Sequence, residues 1–267
     1  MSLKKYLTLT RAGMIEALQF RISIVVTILG NIIYLIIAYF LWKAIYASVE
    51  SATINGMTFE DTMIYLVLAS ALFYFMEVYL VWNMGRNIQS GKIILDLLKP
   101  MQYESFMFWQ STGNLLMSFF TTFIPTIIIV YIVTNGAIHI GINLLFFVIA
   151  VIFALLINYY IDFFVGTICI HTESIWGVNI MKEVTIALLS GASIPIAFFP
   201  EPLKTFALNL PFQAIYNTPL RLLISPSMPN AERLRLLMIQ VVWIAVLYII
   251  SKLFWSFSLK KITVNGG

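Results

Sequence analysis

The sequence predicts an all-α membrane protein with six transmembrane helices. It also predicts an amphipathic interface helix at the N-terminus, a short amphipathic helix on the inner side, and re-entrant outer helices before the last span. Three observations carry this. Of the 267 residues, 61% are hydrophobic and 10% are charged, less than half the roughly 25% charge of a soluble domain, and the mean hydropathy is +0.93. Long apolar stretches alternate with short polar links marked by glycine, proline or asparagine. Lysine and arginine gather beside the apolar stretches, mostly on one side of the implied membrane. A soluble fold this apolar lacks the polar groups to cover its surface, so lipid is part of its solvent. At roughly 20 residues per span, the length suits about six helices in one membrane domain, 1–267. No room remains for an added soluble catalytic domain.

Residues 2–20 form the interface helix. Leu3, Tyr6, Leu7, Thr10, Met14, Ala17 and Leu18 share one face at helical spacing, and Lys4, Thr8 and Arg11 share the other. Such a helix lies in the headgroup region with its basic face toward anionic lipid. No short apolar core with a small-residue cleavage site follows, so the first span is expected to act as its own insertion signal. That span runs about 22–42. A polar loop with Glu50, Glu60, Asp61 and the turn pair Asn55 and Gly56 leads to the second, about 62–83.

Residues 84–104 are polar again. Within them Gln89, Lys92, Asp96 and Lys99 fall on one helical face and Ile93, Ile94, Leu97 and Leu98 on the other, with Gly91 at the start and Pro100 as the stop. A short amphipathic helix between two spans can take up the motion of a soluble partner and pass it to both. Gly85 to Ile93 imitates a phosphate-binding loop, but the spacing is one residue too long and Ile93 stands where a magnesium-holding Ser or Thr belongs. The chain has no nucleotide site of its own by this reading.

The third span runs about 105–133, with a kink expected at Pro125. A turn at Asn135 and Gly136 precedes the fourth, about 142–168, and a polar link with His171, Thr172 and Glu173 precedes the fifth, about 177–198. Residues 199–235 are too broken by proline to span, yet too apolar for a free loop. Two short helices dipping into the outer leaflet, about 203–209 and about 212–224, fit this segment. Pro195, Phe199, Pro200, Pro211, Phe212 and Pro219 are the candidates for an outer gate. The sixth span is about 236–257. Trp42, Trp82, Trp109 and Trp255 suit interfacial belts.

Orientation follows from the 16 basic residues. With the N-terminus inside, Lys4, Lys5, Arg11, Arg21, Arg86, Lys92, Lys99, Lys182, Lys252, Lys260 and Lys261 are inner, against Lys43, Lys204, Arg221, Arg233 and Arg235 outside. The bias favours both termini in the cytoplasm. The absence of a visible internal repeat argues against paired-half secondary transporters.

Four ionisable residues fall at membrane depth: Glu77, Asp162, Lys182 and Glu183. Each must pair, protonate or reach water. They lie toward the inner ends of their spans, which favours structural pairing or snorkelling over a substrate or proton site. Lys182 and Glu183 are adjacent and point about 100° apart, poorly placed to pair with each other. His171 and Glu173 supply too few ligands for a metal. The single Cys169 excludes an intrachain disulfide and reads as a packing residue. No nucleophile elbow or zinc-binding helix motif occurs, so the chain is not expected to be an enzyme by itself.

With these elements laid out, the chain resembles the membrane subunits of bacterial type V ("type two") ABC exporters. The resemblance rests on the layout and on the segments GKIILDLLKP (Gly91 to Pro100), GASIP (Gly191 to Pro195), Phe199 with Pro200, Leu210 to Phe212, and the Asn265 to Gly267 end. It implies that residues 88–99 are a coupling helix docking on a separate ABC ATPase through Gln89, Lys92, Ile93, Asp96, Leu97 and Lys99. It implies two permease subunits, identical or homologous, around one path in the bacterial cytoplasmic membrane. ATP and magnesium would be bound by the ATPase and no cofactor by this chain. Membrane lipids are the other expected partners and nucleic acid is not. Export of a hydrophobic or amphipathic substrate is the implied function. The alternative is an ATP-independent transporter or channel coupled through Glu77 and Asp162.

Overall fold

The structure is a computed structural model describing residues 3–19, 21–49, 51–77, 79–134, 141–172, 174–225 and 228–262. Glu50, the Asn135 and Gly136 turn, Glu173 and the Asn265 to Gly267 end lie outside these. The described chain is helical: α1 Leu3–Gln19, α2 Arg21–Ala47, α3 Phe59–Met76, α4 Leu80–Gln89, α5 Ile93–Leu97, α6 Tyr103–Ser118, α7 Ile124–Val133, α8 Ile142–Ile168, α9 Ile175–Leu189, α10 Glu201–Leu208, α11 Asn217–Ile224 and α12 Asn230–Leu259. Among the described residues, five stretches are long and apolar enough to cross a membrane: Val25–Ala47, Phe59–Gln89, Tyr103–Val133, Ile142–Ile168 and Asn230–Leu259.

The sequence places a fifth span at 177–198, but the helix there stops at Leu189 after 15 residues. That is about 22 Å at 1.5 Å per residue, short of the roughly 30 Å hydrocarbon core. Gly191 explains the stop. Its φ of +85° continues no right-handed helix, and a Cβ there would meet the Tyr65 hydroxyl at 2.8 Å. Instead the Tyr65 hydroxyl donates to the Gly191 carbonyl at 2.9 Å and ties the turn to α3. Pro195 then opens a 3-10 turn, Ile196–Phe198.

The span read as 62–83 is also not one helix. It divides at Glu77 into α3 and α4. Asn158, on α8, donates to the Met76 carbonyl at 3.1 Å and satisfies one of the backbone groups the break frees. The third span continues from α6 into α7 through a π-helical turn, Phe119–Phe123, just before Pro125. Proline has no N–H to give the preceding turn, and the wider turn accommodates that loss. The short helices expected near 203–209 and 212–224 are present as α10, a 3-10 turn at Phe212–Ala214 and α11.

The main core joins α3, the π turn, α7, α8 and α11 around Leu68, Leu72, Phe123, Ile157 and Ile215. Gln240 is fully buried and donates to the carbonyls of Ala150 and Ala214, pinning α12 to α8 and to the 3-10 turn. A second cluster gathers one end of the bundle, where Leu80, Met84, Ile93, Phe106, Phe163 and Trp255 meet. At that end α1 lies against α6. Gly13 and Gly113 face each other there, and a Cβ on Gly113 would strike the Thr10 carbonyl and the Met14 nitrogen. Thr10 donates to the Trp109 carbonyl at 3.2 Å across the same crossing. The helix expected at the interface is thus bound to α6 along one face.

Candidate functional site

Residues 88–99 join α4 to α6 at the end where α1 packs. Gly91, with φ of +70°, lets the chain leave α4. The five-residue α5 follows. Asp96 is 4% exposed. One of its oxygens accepts from the Lys99 ammonium at 2.7 Å and the other from the Asn87 side-chain amide at 2.9 Å. Lys99 also lies over the Phe106 ring at 3.6 Å. Ile93 is buried in the core of this end.

This turns the helix away from the faces read in the sequence. Asp96 and Ile93 point into the domain, and Leu97 and Lys99 are partly covered. The outward face carries Gln89, Lys92, Leu95 and Leu98, with Leu95 at 64% and Leu98 at 76% exposure. The carboxylate goes inward because Asn87 and Lys99 satisfy it there. The two leucines were missed because a polar–apolar division puts apolar groups inside. The i, i+3 spacing of Lys92, Leu95 and Leu98 was the available signal.

The membrane-depth residues come together. Lys182 on α9 donates to Asp162 on α8 at 2.9 Å, and Asp162 is 1% exposed. Asn179 donates to Glu183 one turn away. Glu77 stands at the α3–α4 break. All four line one cavity of about 240 Å³, which Asn158 and Tyr216 also line. The sequence reading put these four at one depth but paired none of them.

The outer-gate candidates do not form a single cluster. Pro195 lines a cavity of about 440 Å³ with Asp61, Tyr65, Lys204 and Arg221. Phe199 and Pro200 lead into α10, while Pro211 precedes the 3-10 turn and Pro219 is buried in α11. Phe212 packs against the main core. A contact the sequence did not offer is Phe198 against Trp42, ring centres 4.6 Å apart, which fastens this segment to α2. At the α1 end His171 bonds Ser258 at 2.8 Å and lies 3.2 Å from the Lys261 nitrogen, joining the α8–α9 link to the end of α12. Among the described residues, no three His, Cys, Asp or Glu side chains group as metal ligands.

The sequence profile described as ABC-2 family transporter protein matches residues 14–266. The chain belongs to the ABC-2 transporter family. For this ABC-2 transporter protein the match spans every helix from within α1 to the end of α12, so the division of α3 from α4 and the short α9 both fall inside the family domain. No curated protein matches the chain. As a membrane domain of this family, the ABC-2 protein is a multi-pass transport subunit whose partner is an ABC ATPase.

Proposed function

We propose that the chain is the permease of an ATP-driven exporter, embedded six times in a bacterial cytoplasmic membrane with both termini in the cytoplasm, the short α9 and the turn segment after it together making the fifth crossing. The observation that carries this is the clamped helix at 88–99. Asp96, Asn87 and Lys99 fix it from behind, and Lys92, Leu95 and Leu98 stand out in front. Exposed leucines on a rigid polar link suit a partner's groove. Because the helix is fastened to α4 on one side and to α6 through Phe106 on the other, a push on it moves both.

In this reading the partner ATPase binds ATP and magnesium, and its closure drives the loop. A second permease, identical or homologous, completes the path. The segment Pro195 to Pro219, anchored by Phe198 on Trp42 and Tyr65 on Gly191, gates the far mouth. A path that opens alternately to each side exports cargo only if the cargo binds the two states differently.

The test is affinity purification of the tagged chain from its native membrane in mild detergent. An ABC ATPase is expected to accompany the wild type. Leu95→Asp with Leu98→Asp is expected to lose it while keeping the same elution volume and thermal stability. Retention of the ATPase by that variant would remove the docking assignment.

A further inference from the structure

Glu77 has no hydrogen-bond or ion-pair partner among the described residues, and it sits where α3 gives way to α4. It borders two cavities. The first, about 240 Å³, is the one it shares with Asp162, Lys182 and Glu183. The second, about 420 Å³, lies between α1, α2, α4 and α6 and is walled by hydroxyl and amide groups such as Thr27, Asn114 and Thr122. Tyr74, Glu77 and Tyr79 line both, so the two volumes meet at this carboxylate. Their sizes bracket the lower range of small-molecule sites, about 300–1,000 Å³.

The charges around this pair of cavities do not cancel. Glu16, Glu77, Asp162 and Glu183 face them against Arg86 and Lys182. Asp162 is answered by Lys182 and Glu183 by the Asn179 amide. Among the described residues this leaves Glu16, at the α1 edge of the second cavity, and Glu77, where the two cavities meet, without a direct partner, Glu77 feeling Lys182 only at a distance. A lone carboxylate within a membrane-spanning stretch is costly and calls for a positive partner. Tyr74, Tyr79, Trp82 and Tyr216 add aromatic walls, whose faces attract cations. Irregular backbone at such depth is tolerated where it lines a cavity, and the break at Glu77 is of that kind. The carboxylates do not converge as ligands of a metal ion. Their spread around an aromatic-walled volume fits a larger, diffuse charge.

We infer that the joined cavities at Glu77 form a binding site for an organic cation with an apolar or aromatic body. Glu77 supplies the charge selection and the tyrosines and Trp82 hold the body. As a substrate class this rests on the transport reading above; as a binding site it does not.

The experiment uses the full chain in lipid nanodiscs, with empty nanodiscs subtracted, and two probes of one shape and opposite charge: tetraphenylphosphonium and tetraphenylborate. Saturable binding of the cation is expected, with at least tenfold weaker binding in Glu77→Gln. The borate is expected to show no saturable binding. Glu201→Gln, remote from both cavities, should bind as wild type. Trp82→Ala, which keeps the carboxylate, should weaken the cation several-fold. Wild-type binding by Glu77→Gln at an unchanged melting temperature overturns the inference, as does equal binding of the two probes or no saturable binding at all. None of these readouts depends on an ATPase, so their failure leaves the permease reading standing, and loss of the ATPase partnership leaves the site standing.

Discussion

The Lys182 ammonium meets the Asp162 carboxylate at 2.9 Å, bridging α9 to α8 with Asp162 almost wholly buried. Both charges lie well inside the bundle, so each is tolerable chiefly because the other is there. Asp162→Asn or Lys182→Met is expected to cost about 3–5 kcal/mol, as for other buried pairs broken on one side. The double variant is expected to cost much less than the sum of the two. Thermal unfolding of the purified protein in detergent measures all three.

The crossing of α1 on α6 depends on having no side chain at two places. Gly113→Ala puts a methyl group into the backbone of α1, and about 1–3 kcal/mol of destabilisation is expected from such overpacking. Gly30→Ala in α2 is the matched control, because nothing lies within 4 Å of its added carbon. Faster proteolysis within residues 3–19 in Gly113→Ala, and no change in Gly30→Ala, is the expected pattern.

The link at 88–99 separates a structural carboxylate from an exposed apolar face. Asp96→Ala leaves the Asn87 amide and the Lys99 ammonium without their acceptor, a loss of about 1–3 kcal/mol. Trypsin should then cut faster at Lys92. Leu98→Asp leaves those hydrogen bonds alone and should leave the digestion rate of the isolated chain unchanged.

Cys169 closes α8 and is buried. Burial pushes its thiol up from the ordinary range, so less thiolate is present at neutral pH and the reactive form is scarcer. N-ethylmaleimide is expected to label it slowly in the folded protein and fully after denaturation in dodecyl sulfate. Raising the pH from 7 to 9 should multiply the folded-state rate by more than it multiplies that of a free thiol, because the free thiol is already mostly ionised by pH 9 whereas the raised Cys169 thiol is not.

Much of this was legible because hydropathy and helix punctuation act locally. The apolar runs marked the long helices, Pro200 and Pro211 opened α10 and the 3-10 turn before α11, and Gly91 with Pro100 framed the link. What the sequence withheld depends on tertiary contacts. Nothing near Glu77 announces a helix break, since neither glycine nor proline stands between Phe75 and Leu80; Asn158, remote in sequence, supports it from α8. Asp162 and Lys182 are on different helices, so helical spacing could not pair them. The inward turn of Asp96 required Asn87 and Phe106 as neighbours. Pro125 did signal a distortion, which the chain realises as a π turn one step earlier.

Transport by reconstituted vesicles bears most directly on the claim that this membrane domain draws its energy from a separate ATPase. Proteoliposomes holding the chain with its co-purified ATPase are expected to move tetraphenylphosphonium beyond the leak of protein-free vesicles only when ATP and magnesium are supplied on the side facing residues 88–99. Vesicles with the chain alone should move no more of this lipophilic cation than protein-free vesicles leak under the same proton or sodium gradient. Gradient-driven movement by the chain alone, above the leak of protein-free vesicles, would contradict the account.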